Sequence, residues 1–141
     1  MNAWIILVLH RKNDYISLVD ETKEYRMKRD YVNVFKSLSD PNRIRIVKML
    51  AERELCMCEI REVLNLSNST VSKHLTILRD AGLLLGTKDG KWVNFRLNDK
   101  SEHPFVRSLI GLIKKSFGDD GSIREDAEKL CRVDRKKICN I

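Results

Sequence analysis

The 141-residue sequence predicts a mainly α domain with one β-hairpin, and three observations predict it. Apolar residues recur at helical spacing in successive stretches between Met27 and Phe117. Helix-start residues, Asp40-Pro41 and Ser67, stand immediately before two of those stretches. A single Asp89-Gly90 step joins two strand-like runs, as a tight hairpin requires.

Taken in order, Val32, Phe35 and Ser39, with Val34 and Leu38 beside them, form the stripe of a first short helix. Asp40 caps a second helix and Pro41 occupies its first position, where a missing N–H costs nothing. Ile44, Val47 and Ala51, widened by Ile46, Met49 and Leu50, face its core side, leaving Arg43, Arg45 and Lys48 on the wet side. A third helix runs from about Cys56 to Leu64, and Asn65-Leu66-Ser67 turns the chain into a fourth from Asn68 to about Ala81. Gly82 follows, at the position that favours a left-handed residue. In the second hairpin strand Val93, Phe95 and Leu97 alternate with Trp92, Asn94 and Arg96. The last strong helix, Pro104 to Phe117, carries two apolar rows: Phe105, Leu109, Leu112 and Val106, Ile110, Ile113, Phe117. That face is wider than one small domain covers, which points to a second copy of the chain.

Three segments result. Residues 27–118 form the domain, and residues 119–141 a polar, helical tail containing Cys131 and Cys139. Residues 1–26 read either as an added element or as sequence upstream of a start at Met27. The apolar stretch Ala3 to Leu9 is far shorter than the roughly 20 residues of a membrane span. It also lacks the flanks of a secretory signal. The expectation is a cytoplasmic protein with no membrane partner, whose four cysteines bind metal or sense redox state in preference to forming structural bridges. A net charge of +7 favours an anionic partner, nucleic acid first.

Two short helices joined by a three-residue turn and followed by a basic hairpin form a winged helix-turn-helix pattern, α-α-α-α-β-β-α. Val71, Leu75 and Leu78 face inward from its second helix. Asn68, Ser69, Thr70, Ser72, Lys73 and His74 are expected to project outward near the N-terminus, to approach base edges and phosphate. In the wing, Lys88, Lys91 and Arg96 are placed for backbone contacts. The implied partner is double-stranded operator DNA.

Cys56-Met57-Cys58-Glu59 has the form of a capping box with cysteine in the place of Ser or Thr. A thiol caps poorly, so another use is implied. Both thiols fall in the first helical turn, where the dipole is expected to lower thiol pKa. Together they can chelate a soft ion such as As(III), Sb(III), Cd(II), Pb(II) or Zn(II). A disulfide between residues two apart at a helix start is poorly placed, so redox sensing would need Cys131 or Cys139.

From Met27 to Phe117 the chain resembles the ArsR/SmtB family of metal-sensing winged-helix repressors. The motifs SLSDPNRIRIVKML, ELCMCEI, STVSKHLTILRDAGL and DGKWVNFRL carry the resemblance, in that order. It implies a homodimeric repressor that binds an inverted-repeat operator without any cofactor and leaves it when a metal or metalloid binds. It further implies that Cys56 and Cys58 are the inducer ligands, and that the first and last helices of the domain form the dimer interface. Arsenite sensors of the family often carry a third cysteine three residues further on, where this chain has Arg61. Residues 1–55 hold no cysteine, so a trigonal sulfur site would need Cys131 or Cys139, from this or the other protomer; the alternative is that the tail cysteines are incidental. The Asp/His zinc site of other members has only His103 to draw on, while His10 and His74 are poorly placed as ligands.

Two other readings stand beside metal sensing: a thiol-based redox-responsive repressor and, more distantly, a thiol-dependent reductase. Against an enzyme stands the absence of a C-x-x-C pair or a Gly-rich oxyanion cradle.

Overall fold

The computed structural model of the chain describes residues 28–138. The chain divides after Val32 into two units, and the second holds all the packing described below. The first helix, α1, covers residues 28–38. It is followed by α2 (Pro41–Glu52), β1 (Leu55–Cys56), α3 (Met57–Leu64), α4 (Asn68–Asp80), β2 (Leu84–Asp89), β3 (Trp92–Leu97), α5 (Pro104–Lys115), α6 (Gly121–Arg132) and α7 (Arg135–Ile138). The strands form one antiparallel sheet in the order β1-β3-β2.

Local signals set the boundaries. The Asp40 carboxylate accepts the Arg43 amide at 3.2 Å and Pro41 opens α2. The Ser67 hydroxyl accepts the Thr70 amide at 3.2 Å and opens α4. Asn65 turns the chain between them with φ of 53°, and Gly82 ends α4 with φ of 79°. In the hairpin Asp89 pairs with Trp92, so the two loop residues are Gly90 and Lys91, one position later than the Asp-Gly reading places them. Gly90 supplies the positive φ (59°) that the turn needs.

The core gathers Ile46, Val47 and Leu50 of α2, Ile60 and Val63 of α3, Val71, Leu75 and Leu78 of α4, Leu84, Phe95 and Leu97 of the hairpin, and Val106, Ile110 and Ile113 of α5. Two expectations shift. In α1 the core side is Val34 and Ser37, whereas Phe35 is 59% exposed and rests its ring against Phe105 at 5.4 Å. In α5 only the row Val106, Ile110, Ile113 enters the core, and Leu112 is 62% exposed.

The basic face of α2 is not a wet side. Lys48 donates to the carbonyls of Ile113, Lys114 and Ser116 at 2.8–3.2 Å, capping the C-terminal end of α5 with a cation. Arg45 makes a two-pronged pair with Asp126 of α6, both contacts 2.7 Å. Asp126 is 2% exposed, and Leu130, one turn on, is buried. The tail therefore docks on α2 and α3. Removing one member of such a pair strands the other charge in a partly dry site. Asp126→Ala is expected to lower the unfolding free energy by about 3 kcal/mol, read from the guanidinium midpoint at unchanged slope. A shift within about 0.5 kcal/mol would place this pair with ordinary surface ion pairs.

Candidate metal site and nucleic-acid interface

Cys56 belongs to two elements at once. It is the last residue of β1, paired in register with Asn94 of the wing strand β3, and it is also the N-cap of α3. The capping box forms: Glu59 accepts the Cys56 amide through Oε2 at 2.8 Å. The other carboxylate oxygen of Glu59 meets Arg53 Nη1 at 2.8 Å. Glu59 is 2% exposed. Burial acts to raise its pKa, but the Cys56 amide and the Arg53 guanidinium together hold it below the usual carboxylate range.

The expectation of an activated thiol at Cys56 fails. The residue is 1% exposed, and burial pushes the thiol pKa up. The Glu59 amide works in the opposite direction but does not win, because the neighbouring Glu59 carboxylate also disfavours a thiolate. The helix dipole is outweighed by desolvation and a buried negative charge. Cys58, in the first turn of α3, is half-buried and disulfide-bonded. Neither Cys56 nor Cys131 is in a disulfide, so neither is its partner. Cys131 lies exposed on α6, and Cys139 lies outside the described residues, as does His10. Among the described residues no cluster of three or more His, Cys, Asp or Glu side chains could hold a metal. With Cys58 reduced, the donor set is two sulfurs at the start of one helix, suited to a soft ion that accepts few ligands.

Nine residues beyond Glu59, after the turn at residues 65–67, α4 begins. Asn68, Ser69, Ser72 and Lys73 are exposed and Thr70 is half-exposed, leaving a run of short polar groups and one cation along its first turns. His74 departs from this outward set. It lies three residues after Val71, on the inward side with Leu75, and is buried. Thr76 and Arg79, outside the set that the sequence singles out, are exposed further along α4, and their helical spacing from Ser69 and Ser72 puts them on the same face. In the wing Lys88 and Lys91 stand exposed beside the turn. Arg96 sits at the base instead, 3.8 Å from Glu54, the residue preceding β1.

Comparison with known proteins bears on this arrangement. The family model described as "Bacterial regulatory protein, arsR family" matches residues 40–84, from the cap of α2 to the first residue of β2. The arsenical resistance operon repressor of Escherichia coli (strain K12) is 46% identical over 116 residues, covering 77% of this chain and 95% of the relative. The chain belongs to the ArsR family. A cadmium resistance transcriptional regulatory protein CadC homolog of Staphylococcus aureus is 35% identical over 104 residues, covering 67% of this chain and 83% of the relative. A homodimeric winged helix-turn-helix DNA-binding domain from Mycobacterium bovis superposes with a TM-score of 0.56 at 22% identity, over 64% of this chain and 81% of that one. This ArsR-family protein is accordingly a winged helix-turn-helix transcriptional regulator, not an enzyme. Among its described residues no helix is long and apolar enough to cross a membrane.

Proposed function

We propose that this ArsR-family regulator is a metal(loid)-released repressor. It binds operator DNA as a homodimer and leaves it when As(III), Sb(III) or a soft divalent ion such as Cd(II), Pb(II) or Zn(II) is held by Cys56 and Cys58. One observation carries the reading: Cys56 joins the wing to the helix that precedes α4. Drawing its sulfur toward an ion shared with Cys58 pulls on the last rung of β1–β3 and on the first turn of α3 together. The wing and α4 then lose the relative placement that reading a groove requires. The named resistance functions of the relatives, arsenical and cadmium, fit the same soft-ion chemistry.

A third sulfur fits the ligand preferences of such ions, and Cys139 is our candidate. The basis is that α7 packs on α3 and ends at Ile138, the residue before it. Cys131 is the less suitable donor, being exposed on α6. Dimerisation is assigned to the exposed row of α5, with Phe105, Leu112 and the outward Phe35.

The disulfide at Cys58 favours a second reading, a repressor that responds to oxidation through Cys58. Fluorescence anisotropy separates the two. The reduced protein on a labelled duplex from upstream of its own gene is expected to be released by arsenite or cadmium. Release by an oxidant alone, with neither ion effective, would replace metal sensing with redox sensing.

A further inference from the structure

The tail reaches the wing. Arg135 of α7 pairs with Asp89 at 3.4 Å, across 46 residues of sequence. Asp89 is the acidic residue of the wing turn, flanked by the exposed Lys88 and Lys91. An uncompensated carboxylate there would repel a phosphate; Arg135 compensates it. On its other side α7 packs against α3, where Lys137 and Ile138 share a cleft with Glu62 and Val63. Those two residues immediately precede Leu64 and the turn into α4. The segment is therefore held between the wing turn and the end of the helix that leads into α4.

What the segment presents is positive. Lys136 and Lys137 are exposed and form no ion pair with any described residue. The acid beside them in sequence, Asp134, accepts the Lys136 amide at 2.9 Å and caps the short helix, and Glu62, which shares the cleft with Lys137, pairs with Arg61 at 3.8 Å. We propose that Arg135-Lys136-Lys137 is a third DNA-backbone contact, bridging the phosphates engaged by the wing and those beside α4. The inference rests on the DNA-binding reading above and extends it to a segment outside the matched family region, residues 40–84. A contact of this kind adds affinity without sequence preference and shows itself in salt dependence.

The test uses the full-length reduced protein on the duplex from upstream of its own gene, with affinity followed against salt. Lys136→Gln/Lys137→Gln leaves the Arg135–Asp89 pair in place. Its log–log salt slope is expected to fall by about two per protomer, with an unchanged thermal melting curve. The comparison variant Lys115→Gln/Arg124→Gln removes the same charge from exposed positions on α5 and α6, and its slope is expected to stay at the parent value. Equal slopes for the parent and the Lys136/Lys137 variant would overturn the third contact while leaving DNA binding intact. An equal loss in both variants would overturn it too, reducing the effect to net charge. A parent protein that does not bind the duplex at any salt would remove the DNA reading itself.

Discussion

Cys56→Ser and Cys58→Ser are each expected to keep the operator affinity of the parent and to lose its response to inducer. Serine is a better N-cap than cysteine, and at residue 56 its hydroxyl can accept an amide of the first turn of α3 while Glu59 still holds the backbone amide. The volume change is small in a site where Cys56 is fully covered, so fold and DNA surface persist. A hydroxyl is a hard and far weaker donor for As(III) or Cd(II) than a thiolate. Losing one of two sulfurs in the described site is expected to raise the inducer concentration for half-release by more than about 100-fold, beyond what outer-sphere changes at metal sites cost. Anisotropy titrations of the parent and both variants measure it. A variant released at the parent's inducer concentration removes that cysteine from the ligand set.

Cadmium-driven release is expected to need less Cd(II) as pH rises, and the arsenite requirement to stay nearly constant. The reason is proton balance. Cd(II) binding to two thiols forms two Cd–S bonds and liberates two protons. Arsenous acid forms two As–S bonds, and the thiol protons leave with its hydroxyls as two waters, so no net proton is released. Because burial holds the Cys56 thiol pKa above its ordinary value, that group is protonated through neutral pH. The sign follows: below the raised pKa, each rise in pH removes part of the cost of making the thiolate and strengthens Cd(II) binding. For the Cys56 proton alone the half-release concentration falls about tenfold per pH unit. Between about pH 6 and about pH 8 the Cd(II) midpoint is thus expected to drop at least about 100-fold from the Cys56 proton alone, and the arsenite midpoint to move by less than about threefold. A flat Cd(II) profile would mean that Cys56 carries no proton to lose, and would separate it from the metal site.

Much of the scaffold around these thiols is legible in short stretches of sequence. Asp40-Pro41, Ser67, Asn65 and Gly82 act within three or four residues of themselves, and each does in the structure what its local chemistry asks. The Cys56–Glu59 box forms for the same reason. Where the reading slips, a longer-range fact intervenes. The strand Leu55–Cys56 has no periodicity to detect because it is two residues long, and it exists only because β3 offers an edge. Proximity to the helix start groups His74 with its polar neighbours, but helical geometry places it with Val71 and Leu75.

The order of helices and hairpin, the turn into α4, the pairing of two thiols in one helical turn and the membership of a DNA-binding family were determined by sequence alone, since caps, turns and periodicity are interactions between near neighbours. The tertiary structure decided the rest. Arg45 meets Asp126 across 81 residues and Arg135 meets Asp89 across 46. The thiol that looked activated at a helix start is instead held protonated. Desolvation and charge pairing depend on which distant groups arrive to cover a side chain, and only the packed chain specifies that.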